Sequence, residues 1–219
     1  LPEAIISCYD SYDDSQLSHL LDWADVVCIG CGLGMGQISE KILKNVLKNV
    51  SCPCVIDADG LNLLSRNIEL LNQCCAPVIL TPHMKEMSRL TGWSIDTIME
   101  DRFQALDQII KQSGPDTKSS IICVLKDSRT VVAQTNRQRF VNLAGNNSMA
   151  KGGSGDVLAG TIAGLLAQHM APFEATTVGV FLHACGGDEA KKSKGSYSVL
   201  ARDLIQGMAD AMKNAKECR

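Results

Sequence analysis

Short apolar runs and segments of helical period alternate along the chain. "ADVVCIG" (24–30) is a β-rich run closed by a glycine. In 37–50, Ile38, Ile42, Leu43, Val46, Leu47 and Val50 recur every three or four residues, which predicts an amphipathic helix. "PCVIDADG" (53–60) reads as a buried strand ending in acids and a turn. "APVILTPH" (76–83) reads as another strand, followed by a short helix stopped near Gly92. Phe103, Leu106, Ile109 and Ile110 mark one face of a helix that fades before "SGPD". "SIICVLK" (120–126) and "TVVAQ" (130–134) are strands across a short polar turn, and "QRFVN" (138–142) is expected to add an antiparallel neighbour. The last third is helical: "DVLAGTIAGLLAQHM", then "FEATTVGVFLHACG", then a segment with Leu200, Leu204, Ile205, Met208 and Met212 in register. Strands alternating with helices predict an α/β fold, a mostly parallel sheet covered on both faces. Every candidate motif follows a strand, so these loops are expected to converge on one crevice at the carboxyl ends of the strands.

Composition narrows this picture. The 219 residues, 45% hydrophobic, can fill one core, so a single domain over 1–219 is expected. A net charge of −3 without a dense basic run argues against nucleic acid and anionic membrane as partners. No apolar run is long enough to span a bilayer and no signal peptide is visible, which points to a cytoplasmic protein. The opening "LPEAIISCYD" lacks an initiator Met and suggests a fragment. Ten cysteines include a C-P-C at Cys52 and Cys54 and the adjacent Cys74 and Cys75. The others sit mostly in apolar runs such as "VVCIG" and "SIICVLK". Without paired C-x-x-C knuckles or a following His, they are expected to be buried, reduced thiols rather than metal ligands.

The candidate chemistry lies in "AKGGSGDVLAG" (150–160). Gly152, Gly153 and Gly155 let successive backbone N–H groups face one point, and a helix starting there adds the positive end of its dipole. Phosphate is the expected guest; a flexible loop before a core helix is the plainer alternative. Gly160 and Gly164, one turn apart, are expected to let the helix pack closely on a neighbour. Asp156 in the first turn has an ordinary role as a partner of the dipole. A carboxylate beside phosphate repels it, however, and accepting a proton from an attacking hydroxyl would explain its placement. No G-x-x-x-x-G-K-[ST] occurs, so this is not a P-loop.

"GNNSMAKGGSGDVLAGTIAGLLAQ" resembles the signature of the bacterial ADP-dependent NAD(P)H-hydrate dehydratases of the ribokinase-like superfamily. "IGCGLGMG", "VIDADGLNLL", "LTPHMKEMSRLTG" and "VLKDSRTVVA" follow the family's order at similar spacing, from about Trp23 to the final helix. The resemblance implies a three-layer α/β/α fold. It also implies removal of water from hydrated NADH or NADPH (NADHX, NADPHX) with ADP as co-substrate and Mg2+ as cofactor, yielding AMP and phosphate. By the same resemblance, Asp156 is the catalytic residue contacting the hydrate, and Gly32, Gly34 and His83 lie on the substrate side. Lys126, Asp127, Ser128, Arg129 and Thr130 match the family's nucleotide strip, with Gly152, Gly153 and Gly155. Asp57, Asp59 and Asn62 repeat its D-A-D-x-L-N motif.

Taken alone, His83 could be satisfied by local backbone, Lys126 could be a solvated turn residue, and "GCGLGMG" is a weak signal. Departures from the family pattern include Cys31 in place of proline, Met84 and Lys85 in place of Pro-Gly, and Asn147 and Ser148 in place of another Pro-Gly. Asp127 replaces a glycine and would weaken nucleotide binding unless it points away. The family's domain usually opens with further strand and helix units, so the sheet is expected to lack its N-terminal strands here; an epimerase domain often precedes it. A homo-oligomer is common among relatives and is expected here, a tetramer being one form it could take. A small-molecule kinase acting on a thiazole or pyrimidine alcohol, and a nucleotide-binding remnant without activity, are the competing readings.

Overall fold

A computed structural model describes residues 4–8, 11–111, 120–135 and 138–217, and the "SGPD" stretch lies outside them. The described elements run α1 (Asp14–Trp23), β1 (Val27–Ile29), α2 (Gln37–Asn49), β2 (Cys54–Ile56), α3 (Asp59–Leu64), a 3-10 turn (Ile68–Gln73), β3 (Val78–Leu80) and α4 (Met84–Thr91). They continue with α5 (Ile95–Glu100), α6 (Arg102–Ile110), β4 (Ile121–Leu125), β5 (Val131–Gln134), β6 (Arg139–Val141), a 3-10 turn (Asn147–Met149), α7 (Ser154–Ala167), α8 (Pro172–Lys194) and α9 (Ala201–Glu217). The apolar pattern marked the strands but not α1 or α5. "PCVIDADG" is strand only to Ile56, because α3 begins at Asp59. Gly92 ends α4 in the left-handed conformation (φ 74°), where glycine pays no Cβ penalty.

The strands lie in the order β1-β2-β3-β4-β5-β6. β1 to β4 pair in parallel, while β5 and β6 add antiparallel ladders. Two-residue alternation along each strand divides the core. Cys54, Ile56, Val78, Leu80, Ile121 and Cys123 face α2 to α6. Val55, Ile79, Ile122, Val124 and Val132 face α7 and α8. The result is the expected three-layer α/β/α arrangement, with α9 packed on α8.

Two expectations change. Gly160 and Gly164 are exposed, and a Cβ on either would meet nothing within 4 Å, so they mediate no close packing among the described residues. That role falls to other glycines, because α8 crosses α7 and α9 at backbone distance. A Cβ on Gly207 would lie 2.1 Å from the Gly186 carbonyl oxygen, and one on Gly179 would lie 2.8 Å from Ile162 Cγ1. The cysteines also divide. Cys54, Cys74 and Cys123 are buried thiols, but Cys8, Cys28, Cys31 and Cys75 are exposed. Cys28 belongs to β1, the edge strand, and Cys31 to the turn beyond it, so neither is enclosed on all sides. Gly207→Ala is expected to destabilise the protein by about 1–3 kcal/mol in urea unfolding, as overpacking does. Gly160→Ala, in open space, is expected to be neutral or to stabilise by up to about 1 kcal/mol.

Candidate functional site

The carboxyl ends of β1 to β4 converge on one place, and each is turned there by an identifiable residue. After β1, Gly30 takes φ 121°, and a Cβ on it would stand 1.8 Å from the Asp57 carbonyl oxygen. Only glycine permits that approach. After β2, Ala58 is held at φ 48°, a conformation that a side-chain-bearing residue adopts at a cost of about 1–3 kcal/mol. The kink leaves Asp57 buried and puts Asp59 in the first turn of α3. There Asp59 Oδ2 accepts the Gly34 N–H at 2.8 Å, tying the β1 glycine loop to α3. Asn62 Oδ1 accepts from Arg89 Nη1 at 2.6 Å.

After β3, His83 caps α4. Its Nδ1 accepts the N–H groups of Lys85 (3.0 Å) and Glu86 (3.3 Å), which places the ring proton on Nε2, 3.4 Å from Glu86 Oε1. Its backbone N–H donates to Glu86 Oε2 at 2.8 Å, completing a capping box. After β4, Lys126 donates its backbone N–H to the Pro82 carbonyl at 2.8 Å and its Nζ to Asp57 Oδ1 at 2.7 Å. Asp57 is only 2% exposed at its side chain, so this ammonium compensates a charge that water cannot reach.

The glycine loop closes the site. Gly153, in the left-handed region (φ 86°), is the N-cap of α7, and Asp156 stands exposed in the first helical turn. A Cβ on Gly155 would lie 3.2 Å from both Asp57 Oδ2 and Lys126 Nζ, so the ion pair sits directly against the helix start. Donor atoms of Asp156, Asp57 and Cys31 all lie within 4.8 Å of one another. Burial and the neighbouring carboxylates push the thiols up, Cys28 to about 11 and Cys31 to about 12. On the far side, Asp188 of α8 accepts the Gly145 N–H (3.0 Å) and the Asn146 side-chain amide (2.7 Å), fixing the stretch that leads into the glycine loop. His183 of α8 is buried beneath α7. Burial first, and the Lys126 charge second, lower its pKa to about 4.

These groups surround an open cavity of about 860 Å3, the size of a small-molecule site. His83, Gly153, Gly155, Asp156 and the strip from Lys126 to Thr130 line it. Among the described residues lining it, Gly32, Gly34 and Gly152 do not occur: the first two lie on the loop anchored by Asp59, outside the cavity wall. Asp127 is answered by Arg102, whose Nη2 donates to it at 2.7 Å, so its charge is neutralised rather than aimed unopposed at a phosphate. Three features escaped the sequence reading. His183 and Asp188 stand as polar residues in the otherwise apolar "FLHACGGD", a stretch whose pattern reads as plain helix. Cys28 and Cys31 form a single C-x-x-C that a search for paired knuckles passes over.

The family model for NAD(P)H-hydrate dehydratase matches residues 1–209. The chain belongs to the NAD(P)H-hydrate dehydratase family. It is 38% identical to the ADP-dependent (S)-NAD(P)H-hydrate dehydratase of Neisseria meningitidis over 97% of this chain and 69% of that protein. It is 37% identical to the bifunctional NAD(P)H-hydrate repair enzyme Nnr of Moorella thermoacetica over 93% of this chain and 37% of that protein. The chain thus spans little more than a third of that bifunctional relative. Among solved structures, the ADP/ATP-dependent NAD(P)H-hydrate dehydratase from Bacillus subtilis, co-crystallised with ATP and Mg2+, matches with a TM-score of 0.76 at 29% identity, covering 87% of this chain and 66% of that one. The ribokinase-like fold expected of the family is the fold observed. None of the described helices is long and apolar enough to cross a membrane.

The buried ring of His183 gives this family member a pH dependence whose sign is fixed. The unfolded chain takes up a proton near 6.5, the folded protein only near 4. The stability tied to the neutral ring is therefore fully present above 6.5 and is lost as pH falls toward 4. Between pH 7 and 5 the loss is about 2 kcal/mol. Urea unfolding at both values is expected to show it, with a shallower pH slope in His183→Gln.

Proposed function

We propose that this chain carries the ADP-dependent dehydration of NADHX and NADPHX, restoring NADH or NADPH with release of AMP and phosphate. One observation carries the reading: Asp156 stands exposed in the first turn of a glycine-started helix, against a buried Lys126–Asp57 pair, on a cavity of small-molecule size. The names of the Neisseria and Bacillus relatives support it.

In this reading the backbone N–H groups of Gly153 to Asp156 receive the terminal phosphate of ADP, since the start of a helix favours anions. The strip Lys126 to Thr130 flanks the nucleotide, with Arg129 adding positive charge and Arg102 cancelling that of Asp127. Asp156 accepts the proton of the hydrate's ring hydroxyl as that oxygen attacks the terminal phosphorus and AMP leaves. Phosphoryl transfer is loose, so a carboxylate that mainly orients the hydroxyl suffices. The phosphorylated oxygen then departs as phosphate as its bond to ring carbon breaks, the adjacent ring carbon gives up its proton to the departing phosphate or to water, and the electron pair of that C–H bond restores the ring double bond. His83 borders the nicotinamide end from the cavity wall, and Gly32 and Gly34 would meet the substrate where it extends past that wall. His83 presents its Nε2–H there, because its Nδ1 is committed to capping α4.

The donor set suits Mg2+ in its two carboxylates and not in the Cys31 sulfur, because Mg2+ prefers oxygen. Asp156 and the free oxygen of Asp57 would hold it together with phosphate oxygens, and it would supply neutralisation of phosphate charge. The protein is expected to act in the cytoplasm as a homo-oligomer, with ADP preferred over ATP.

A kinase of the same fold would leave a stable phosphorylated product, whereas the dehydratase releases free phosphate; this separates the two readings. With ADP and the hydrate, near-UV absorbance of reduced nicotinamide is expected to return together with stoichiometric phosphate. Asp156→Asn is expected to cut turnover by roughly 10²–10⁴ while AMP affinity holds or rises. No recovery with ADP or ATP contradicts the assignment, as does an Asp156→Asn protein that turns over normally.

A further inference from the structure

The cavity lining contains polar atoms that the protein itself leaves unanswered. Among the described residues, the buried side-chain atoms without a hydrogen-bond partner are Gln108 Oε1, Gln134 Oε1, Asn142 Oδ1, Ser154 Oγ and His183 Nε2. The two glutamines are half-buried and stand outside the cavity. Asn142, Ser154 and His183 are only 5%, 8% and 9% exposed, and all three line it. They come from different elements: Asn142 follows β6, Ser154 opens α7 and His183 belongs to α8. A buried polar group without a partner is costly, so three of them on one cavity point to a ligand that supplies what the fold does not.

Asn142 fixes what kind of group that is. Its backbone N–H donates to the Thr130 carbonyl at 2.9 Å, at the end of the strip that begins with Lys126. Its Nδ2 donates to the Ala144 carbonyl at 2.9 Å, so turning the amide over would set oxygen against oxygen. Oδ1 is therefore an acceptor that requires a donor. An ionised phosphate presents only acceptor oxygens and cannot serve. The hydroxyls of a ribose and the exocyclic amine of adenine can. Ser154 Oγ and the neutral His183 ring can donate or accept, so they suit the same groups. Leu158, Val180 and Ala184 line the same cavity and offer apolar surface to a flat base.

We propose that Asn142, Ser154 and His183 form the subsite that recognises the nucleoside half of the nucleotide, with Asn142 Oδ1 accepting from a ribose hydroxyl or from the adenine amine. The subsite presupposes the reading of the cavity as a nucleotide site. Each half of the ligand then meets its own chemistry: the phosphates meet the backbone N–H groups at the start of α7, and the nucleoside meets buried side chains. These residues determine which nucleotide is taken, because a nucleotide without a donor at that place leaves Oδ1 buried and unpaired. Discrimination comes from that loss and needs no steric clash.

Calorimetric titration of the full chain compares ADP with 2′-deoxy-ADP, 3′-deoxy-ADP and purine riboside diphosphate, which lacks the amine. At least one analogue is expected to bind roughly fivefold or more weakly than ADP. A penalty for a deoxy analogue marks a hydroxyl as the donor, and one for purine riboside diphosphate marks the amine. Smaller penalties for every analogue overturn the proposal. In Asn142→Ala the penalty is expected to disappear, because the acceptor it reports is gone. A merely structural Asn142 would weaken ADP and analogue alike and leave the penalty intact, which also overturns the proposal. If Asn142→Ala does not fold, the series is repeated on Ser154→Ala and His183→Gln; the penalty is expected to shrink in at least one, and its persistence in both counts against the subsite. Turnover of the hydrate separates this claim from the one it presupposes. A chain that discriminates among the nucleotides but leaves the hydrate unconverted contradicts the dehydratase reading and keeps the subsite. A chain that converts the hydrate but binds ADP and every analogue alike keeps that reading and loses the subsite. A chain that does not bind ADP overturns both.

Discussion

The buried pair between Lys126 and Asp57 sets the position of everything around it. An unpaired carboxylate in that place would cost several kcal/mol, because water cannot solvate it. The 2.7 Å contact joins the ends of β2 and β4, two strands that are not neighbours in the sheet. β3 lies between them and contributes the Pro82 carbonyl that receives the Lys126 N–H. The first turn of α7 can approach this pair only because residue 155 lacks a side chain; a Cβ there would press on both charges at 3.2 Å. Sheet ends, ion pair and helix start therefore form one rigid unit, and Asp156 inherits its position from it.

That unit explains why three chemically ordinary departures from the family pattern leave the site coherent. Asp127, which replaces a glycine, has its own cation in Arg102. Met84 and Lys85 stand inside a helix start already secured by the His83–Glu86 capping box. Asn147 and Ser148 lie in a turn held by Asn146, which Asp188 holds in its turn. In the last two cases the rigidity that proline would give through the backbone is supplied by a side-chain hydrogen bond.

Much of this was legible in the chain itself. Apolar runs located the strands, the glycine loop marked the start of a helix, and linked motifs carried the family. Contacts across the fold were not legible, because they depend on partners far apart in sequence. Lys126 alone reads as a surface lysine; its partner is 69 residues away. Gly160 and Gly164 have the spacing of packing glycines but face outward, while Gly179, Gly186 and Gly207 make the close crossings. Exposure of Cys28 follows from β1 being the edge strand, a fact of sheet order that a β-rich pattern does not encode.

The account stands on the helix start of α7 receiving the terminal phosphate of the nucleotide next to Asp156. A crystal structure of the complex with ADP and Mg2+ tests this most directly. The predicted result is a terminal phosphate within about 3 Å of the backbone nitrogens of Gly153 to Gly155, with the Asp156 carboxylate facing the open end of the cavity. Phosphates bound elsewhere on the surface, with those nitrogens facing only solvent, would contradict it.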